Sequence, residues 1–202
     1  MMHVLIACLL LPTSAFSPKI ALTRESPAAN TPLTDLLTPL LPPSAALLQL
    51  PCISFTTLPP SNPPLATLLT SGSYDYCLIT SKEAARVLLE HISPSVRVPQ
   101  FAAVSLATSL ILTAANLTVS FLPSKSTGHH LATELPPATT ALYPCSALAS
   151  TEIETTLKAR GCSVTRIDTY TTTTPAWPSG GGTVDVVTFG SPSAGSCAAE
   201  AI

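Results

Sequence analysis

Two stretches of this 202-residue chain combine residue types that could do chemistry. The first runs from Phe121 to Pro136 and carries Ser124-Lys125-Ser126-Thr127 between a strand-like and a helix-like segment. The second runs from Ala141-Leu-Tyr-Pro-Cys145 on to Ile167-Asp-Thr-Tyr-Thr-Thr172, so that Tyr170 stands just past a strand signal. Polar loops that lead into helices supply hydroxyls and backbone N–H groups, which suit carboxylates. A tyrosine at such a point can supply a proton. Each of these hydroxyls fits equally well as a helix N-cap, and the two roles can coexist.

Composition narrows the partners. The formal net charge is −2 with charged residues at only 10%, and there is no basic patch interleaved with aromatics, which argues against nucleic acid. Hydrophobic residues make up 46%, enough to build a core, while the polar surface must come from Ser, Thr and Pro. The six cysteines form no CxxC pair and no Cys/His cluster, so neither zinc nor a disulfide framework is indicated and buried reduced thiols are expected. His129 and His130 lack further ligands and read as surface histidines. No segment reaches the ~18 apolar residues of a membrane span.

The elements that must position these groups alternate. Strands are predicted over Ile20–Thr23, Tyr76–Thr80, Phe101–Ser105, Thr118–Leu122, Thr140–Tyr143, Ser163–Asp168 and Asp185–Phe189, with Ala45–Phe55 extended and broken by Pro51. Helices are predicted over Asn30–Leu41, Lys82–His91 behind the cap Ser81, Thr108–Ala115, Ser126 to Leu135, Ser150–Arg160 stopped by Gly161, and from about Ser193. This rhythm implies an α/β protein with parallel sheets. At an offset of 110 residues, Asp75-Tyr-Cys-Leu-Ile-Thr-Ser-Lys-Glu-Ala84 aligns without gaps with Asp185-Val-Val-Thr-Phe-Gly-Ser-Pro-Ser-Ala194. A repeated Asp, strand, Ser, helix unit suggests two related lobes. It also places Ser81 and Ser191 at the carboxyl ends of strands, where open α/β sheets bind ligands.

In order along the chain, Ile20–Glu25, Tyr76–Ala84, Val104–Thr108, Ala141–Cys145, Leu157–Thr172 and Val186–Ala194 together resemble uroporphyrinogen-III synthase across residues 18–202. The resemblance implies two α/β lobes joined by a two-stranded connector. One lobe would be continuous over 53–167 and the other discontinuous, from 18–49 plus 176–202. The connector strands would be 50–55 and 164–172, with the ligand in the cleft between lobes. It further implies that the chain closes hydroxymethylbilane, a linear tetrapyrrole with eight carboxylates, into a macrocycle. Water is lost and ring D inverted, with no metal or organic cofactor, in a monomer with no nucleic-acid or membrane partner. Tyr170 would donate the proton to the leaving hydroxyl. Ser81, Lys82, Thr108, Ser124, Lys125, Ser126, Thr127 and Ser191 would bind substrate carboxylates.

Two departures carry expectations of their own. Ser105 stands where the family has glycine, which questions the backbone of that turn. The chain also stops at Ile202, short of the family's further strand–helix elements, so the discontinuous lobe is expected to be incomplete; the alternative expectation is a truncated non-catalytic homologue or mis-predicted gene product that binds a tetrapyrrole or other small anionic ligand. Upstream, the apolar run Val4–Leu11 reads as a signal-peptide core within a leader over residues 1–17. Its junction Ser14-Ala15-Phe16-Ser17-Pro18 is similar to plastid presequence cleavage sites, so a plastid destination is expected, with the secretory pathway or cytoplasm as alternatives.

Overall fold

A computed structural model describes residues 17–92, 99–175 and 183–190. The predicted leader, Ser191 and the helix from about Ser193 lie outside them. In chain order the elements begin with β1 Lys19–Leu22, α1 Pro27–Leu37 followed by a 3-10 turn, β2 Ala46–Gln49, β3 Ser54–Thr57 and α2 Leu65–Thr70. Next come β4 Tyr76–Ile79, α3 Lys82–His91, β5 Gln100–Ala103, α4 Leu106–Ala114 and β6 Val119–Phe121. The series ends with α5 Gly128–Glu134, β7 Thr140–Ser146, α6 Glu152–Ala159, β8 Ser163–Thr173 and β9 Val186–Thr188.

The chain divides into two compact units, one of residues up to Ser54 with those from Thr174 onward, the other from Phe55 to Thr173. The first unit holds a three-stranded parallel sheet in the order β2-β1-β9. Ile20, Ala21 and Leu22 are buried in its middle strand, and Asn30 of α1 donates through its side-chain amide to the Leu22 carbonyl and to Gln49 Oε1. Helix α1 starts three residues before the predicted Asn30, because Ser26 accepts from the Ala29 N–H and Pro27 is preset for the first helical position. It stops before the predicted Leu41, and its last turn tightens into the 3-10 turn around Pro39, which cannot donate to an α-helical carbonyl.

The second unit is a six-stranded sheet in the order β3-β8-β7-β4-β5-β6, parallel from β8 through β6. Strand β4 is buried throughout, and successive side chains serve opposite faces, as a strand's two-residue period requires. Cys77 and Ile79 join Phe101, Leu142 and Tyr170 in the core under α2, α3 and α4. Tyr76 and Leu78 join Ala102, Ala141, Tyr143 and Cys145 in the core under α5 and α6. Helix α2 was not anticipated: it is short, follows two prolines and has no side-chain cap.

Local signals fix the ends of the elements that reach the site. Ser105 is the N-cap of α4, which therefore begins at Leu106 rather than Thr108. Its φ of −152° is ordinary extended backbone, so the glycine of the family is not needed for a left-handed turn here. Gly161, at φ +81°, closes α6, and the Cys162 N–H reaches back to the Leu157 carbonyl at 2.9 Å.

Both copies of the 110-residue repeat use their aspartate in one way. The Asp75 N–H donates to the Thr140 carbonyl, while Asp75 Oδ2 accepts the Thr140 N–H at 3.1 Å and the Thr139 N–H at 2.8 Å. The Asp185 N–H donates to the Lys19 carbonyl, while Asp185 Oδ2 accepts the Lys19 N–H at 2.8 Å. Each aspartate staples the start of its own strand to the start of the neighbouring one.

Candidate functional site

Strands β4, β7 and β8 end close together in the second unit, and their last residues bring hydroxyls into contact. Thr80 and Ser81 follow β4 directly. Ser81 is the N-cap of α3 and its Oγ accepts the Ala84 N–H at 2.9 Å. The same Oγ lies 2.8 Å from the Tyr170 phenol oxygen on β8. Thr80 Oγ1 lies 3.4 Å from the Tyr143 phenol oxygen on β7. Adjacent residues of one turn thus meet two phenols that belong to the cores on opposite faces of the sheet.

The Tyr170 ring is 5% exposed and packs edge-on against Phe55, with ring centroids 5.7 Å apart. Burial raises its pKa above the ordinary phenol value, Ser81 opposes that rise, and Glu83 on α3 and Cys145 on β7 add to it. The phenol is therefore protonated at neutral pH, the state a proton donor requires. Burial pushes Tyr143 up to about 12 and Cys145 up to about 12 as well. Cys77 is also raised, by burial alone. These thiols are inert core groups, matching the expectation of reduced buried cysteines.

The backbone around Tyr170 is held by a charged clamp. Arg166 Nε donates to Asp168 at 2.8 Å and Nη1 to Glu154 at 3.1 Å. The same guanidinium donates to the carbonyls of Ser146, Ala147 and Ala149, the loop after β7. That loop returns to the site, because the Ala147 N–H donates to the Tyr170 carbonyl at 2.8 Å.

The remaining predicted residues sit apart from this contact, in different settings. Lys82, Lys125 and Ser126 are exposed. Thr108 is 2% exposed, and its hydroxyl is shared with Ser105 at 3.1 Å. Ser124 donates through its N–H and hydroxyl to the Glu134 carboxylate, which those bonds hold below the usual range. Thr127 caps α5, accepting the His130 N–H. Among the described residues of the predicted set, Ser81 and Tyr170 are brought together by their side chains from different elements. Sequence reasoning passed over Tyr143, although it sits in the Leu-Tyr-Pro segment that was singled out, and passed over Ser105 as the partner of Thr108. Among the described residues no group of His, Cys, Asp and Glu is arranged to hold a metal ion.

Comparisons with known proteins point the same way. The family model described as uroporphyrinogen-III synthase HemD matches residues 44–202. A chloroplastic uroporphyrinogen-III synthase from Oryza sativa subsp. japonica is 39% identical over 139 residues, 62% of this chain and 45% of that protein. The chain therefore spans under half the length of this curated relative. Among solved structures, uroporphyrinogen-III synthetase from Helicobacter pylori aligns with a TM-score of 0.60 at 14% identity, covering 93% of this chain and 79% of that one. A uroporphyrinogen III synthase from the extreme thermophile Thermus thermophilus aligns with a TM-score of 0.59 at 18% identity, covering 79% and 64%. These two show a shared α/β fold, while the family match extends over more than half of the sequence: the chain belongs to the uroporphyrinogen-III synthase family.

Proposed function

We propose that this chain closes hydroxymethylbilane to uroporphyrinogen III, with loss of water and inversion of ring D. The observation that carries the reading is the Tyr170 phenol, protonated by its burial and seated at the carboxyl ends of β4 and β8 beside the N-terminus of α3. In this reaction the C–O bond to the bilane hydroxyl breaks as that oxygen takes the Tyr170 proton and leaves as water. The resulting azafulvene carbon is attacked by the substituted carbon of ring D to give a spiro intermediate, whose bond to the neighbouring methylene breaks and re-forms at the free α-carbon of that ring, which inverts ring D. The proton later lost when the last pyrrole regains aromaticity returns to the phenolate, so no net proton is consumed.

Proton donation of this kind contributes ~10²–10⁴-fold, and holding the two ends of a flexible substrate together contributes up to ~7–11 kcal/mol. The exposed Lys82, Lys125, Ser126 and Thr127 are proposed to meet substrate carboxylates. Thr108 and Ser124 would do so by exchanging Ser105 and Glu134 for the ligand, and Ser191 is proposed on sequence alone. The chloroplastic name of the rice relative supports a plastid location, read with the Ala15-Phe16 junction. The deciding experiment incubates the purified chain with enzymatically generated hydroxymethylbilane and separates the isomers. Uroporphyrinogen III is the expected product, and the spontaneous type I isomer alone would end the proposal.

A further inference from the structure

The contact between Ser81 and Tyr170 gives the serine a task other than binding substrate. Ser81 Oγ accepts the Ala84 N–H at the start of α3 and meets the Tyr170 oxygen at 2.8 Å. A hydroxyl that accepts from a backbone amide still has one proton to give. If Tyr170 donated to Ser81, the phenol proton would be spent inside the protein. If Ser81 donates instead, the phenol proton is free to point at a leaving group, and the phenolate left behind keeps a donor aimed at it. The N-terminal end of α3 polarises the serine in the same sense, since its N–H groups favour negative charge nearby.

We propose that Ser81 is a positioning residue that donates its hydroxyl proton to Tyr170, leaving the phenol proton available for the leaving group and stabilising the ionised form of the phenol. This rests on the assignment of Tyr170 as proton donor. The neighbours of the phenol make such support necessary. Phe55 from β3 packs against the ring, burial disfavours its charged form, and Glu83 from α3 resists a negative charge there. Among the described residues, Ser81 is hydrogen-bonded to the phenol and opposes the rise that burial imposes, which offsets part of the cost of ionisation.

The test compares Ser81→Gly and Ser81→Thr in the full chain. Glycine removes the hydroxyl while still serving as a tolerated N-cap, and threonine restores both hydroxyl and cap. Fluorotyrosine, whose phenol ionises at lower pH than tyrosine, is incorporated at the four tyrosines, and the ¹⁹F signal of residue 170 is assigned from Tyr170→Phe. The expected result is an upward shift of about one to two pH units in the residue-170 titration in Ser81→Gly, reversed in Ser81→Thr. In parallel, kcat for the type III isomer falls roughly 10- to 100-fold while KM barely moves. A serine that merely anchored a carboxylate would raise KM and leave the titration unchanged. An unshifted titration in Ser81→Gly overturns the inference, even in an active enzyme. A shifted titration with only type I product overturns the catalytic reading of Tyr170 and leaves the coupling standing, so the two fail separately.

Discussion

Tyr170 combines a hydrocarbon setting with one polar contact, and the two can be separated by substitution. Tyr170→Phe keeps the ring against Phe55 and within the core of α2, α3 and α4, and Ser81 keeps its bond to the Ala84 N–H. The expected outcome is a ~10²–10⁴-fold fall in type III product with a loss of stability of about 1 kcal/mol, read by isomer analysis and urea unfolding. Undiminished turnover would remove the phenol from the mechanism. Tyr143 offers the contrasting case, a phenol with a structural role. Its pKa rises from about 10 in an unfolded chain to about 12 here, because burial disfavours its charged form. The stability tied to its neutral form is fully present below pH ~10 and is lost as pH climbs toward 12. Tyr143→Phe should therefore flatten the alkaline limb of a stability-versus-pH curve measured by urea unfolding, with little change at pH 7.

At the level of strands and helices, polar staples set the register that the hydrophobic pattern leaves open. Asp75 joins the starts of β4 and β7, and its hydrogen bonds from Thr139 and Thr140 hold its carboxyl below the usual range. Because the folded value is depressed, this contribution is present above the unfolded pKa near 4 and is lost as pH falls through the folded value. In Asp75→Asn that acid-dependent part should vanish, and amide exchange at Thr139 and Thr140 should speed up roughly tenfold at neutral pH. Arg166→Lys tests the other staple: a lysine keeps the charge but cannot span Asp168, Glu154 and three carbonyls, and about 1–3 kcal/mol should be lost in urea unfolding. Elements of this kind were partly legible in the chain itself. Lys82–His91 is legible to the residue, because Ser81 caps it and its apolar side repeats at helical spacing. The repeated Asp-strand unit was visible as spelling, and its backbone staple became evident only once the neighbouring strand starts were placed. What escaped, the Thr80–Tyr143 and Ser105–Thr108 contacts and the Arg166 clamp, depends on parallel strands lying side by side. No local pattern records which strand ends become neighbours.

On the scale of the whole chain, the two units differ in how their sheets are assembled from the sequence. The sheet of the first unit takes β1 and β2 from one segment and β9 from another more than a hundred residues away, so it cannot form from either segment alone. The second unit is continuous, and both of its cores are built from residues between Phe55 and Thr173. A fragment from Ser54 through Thr173 contains all six strands of its sheet and all five helices from α2 to α6. At about 0.05–0.15 kcal/mol per residue, a chain of about 120 residues should fold with a stability of roughly 6–18 kcal/mol. Its urea unfolding should be a single transition, coincident by circular dichroism and tyrosine fluorescence. Within that fragment the contact between Ser81 and Tyr170 should persist, since every residue that holds it is present. The ¹⁹F signal of residue 170 should therefore titrate as it does in the full chain. A gradual, probe-dependent transition would show that the second unit needs the first to pack its core. A cooperative transition with a changed titration would show that the first unit sets the environment of the phenol. The expected combination, cooperative folding with an unchanged titration, would assign the electrostatics of the proton donor to the continuous unit alone.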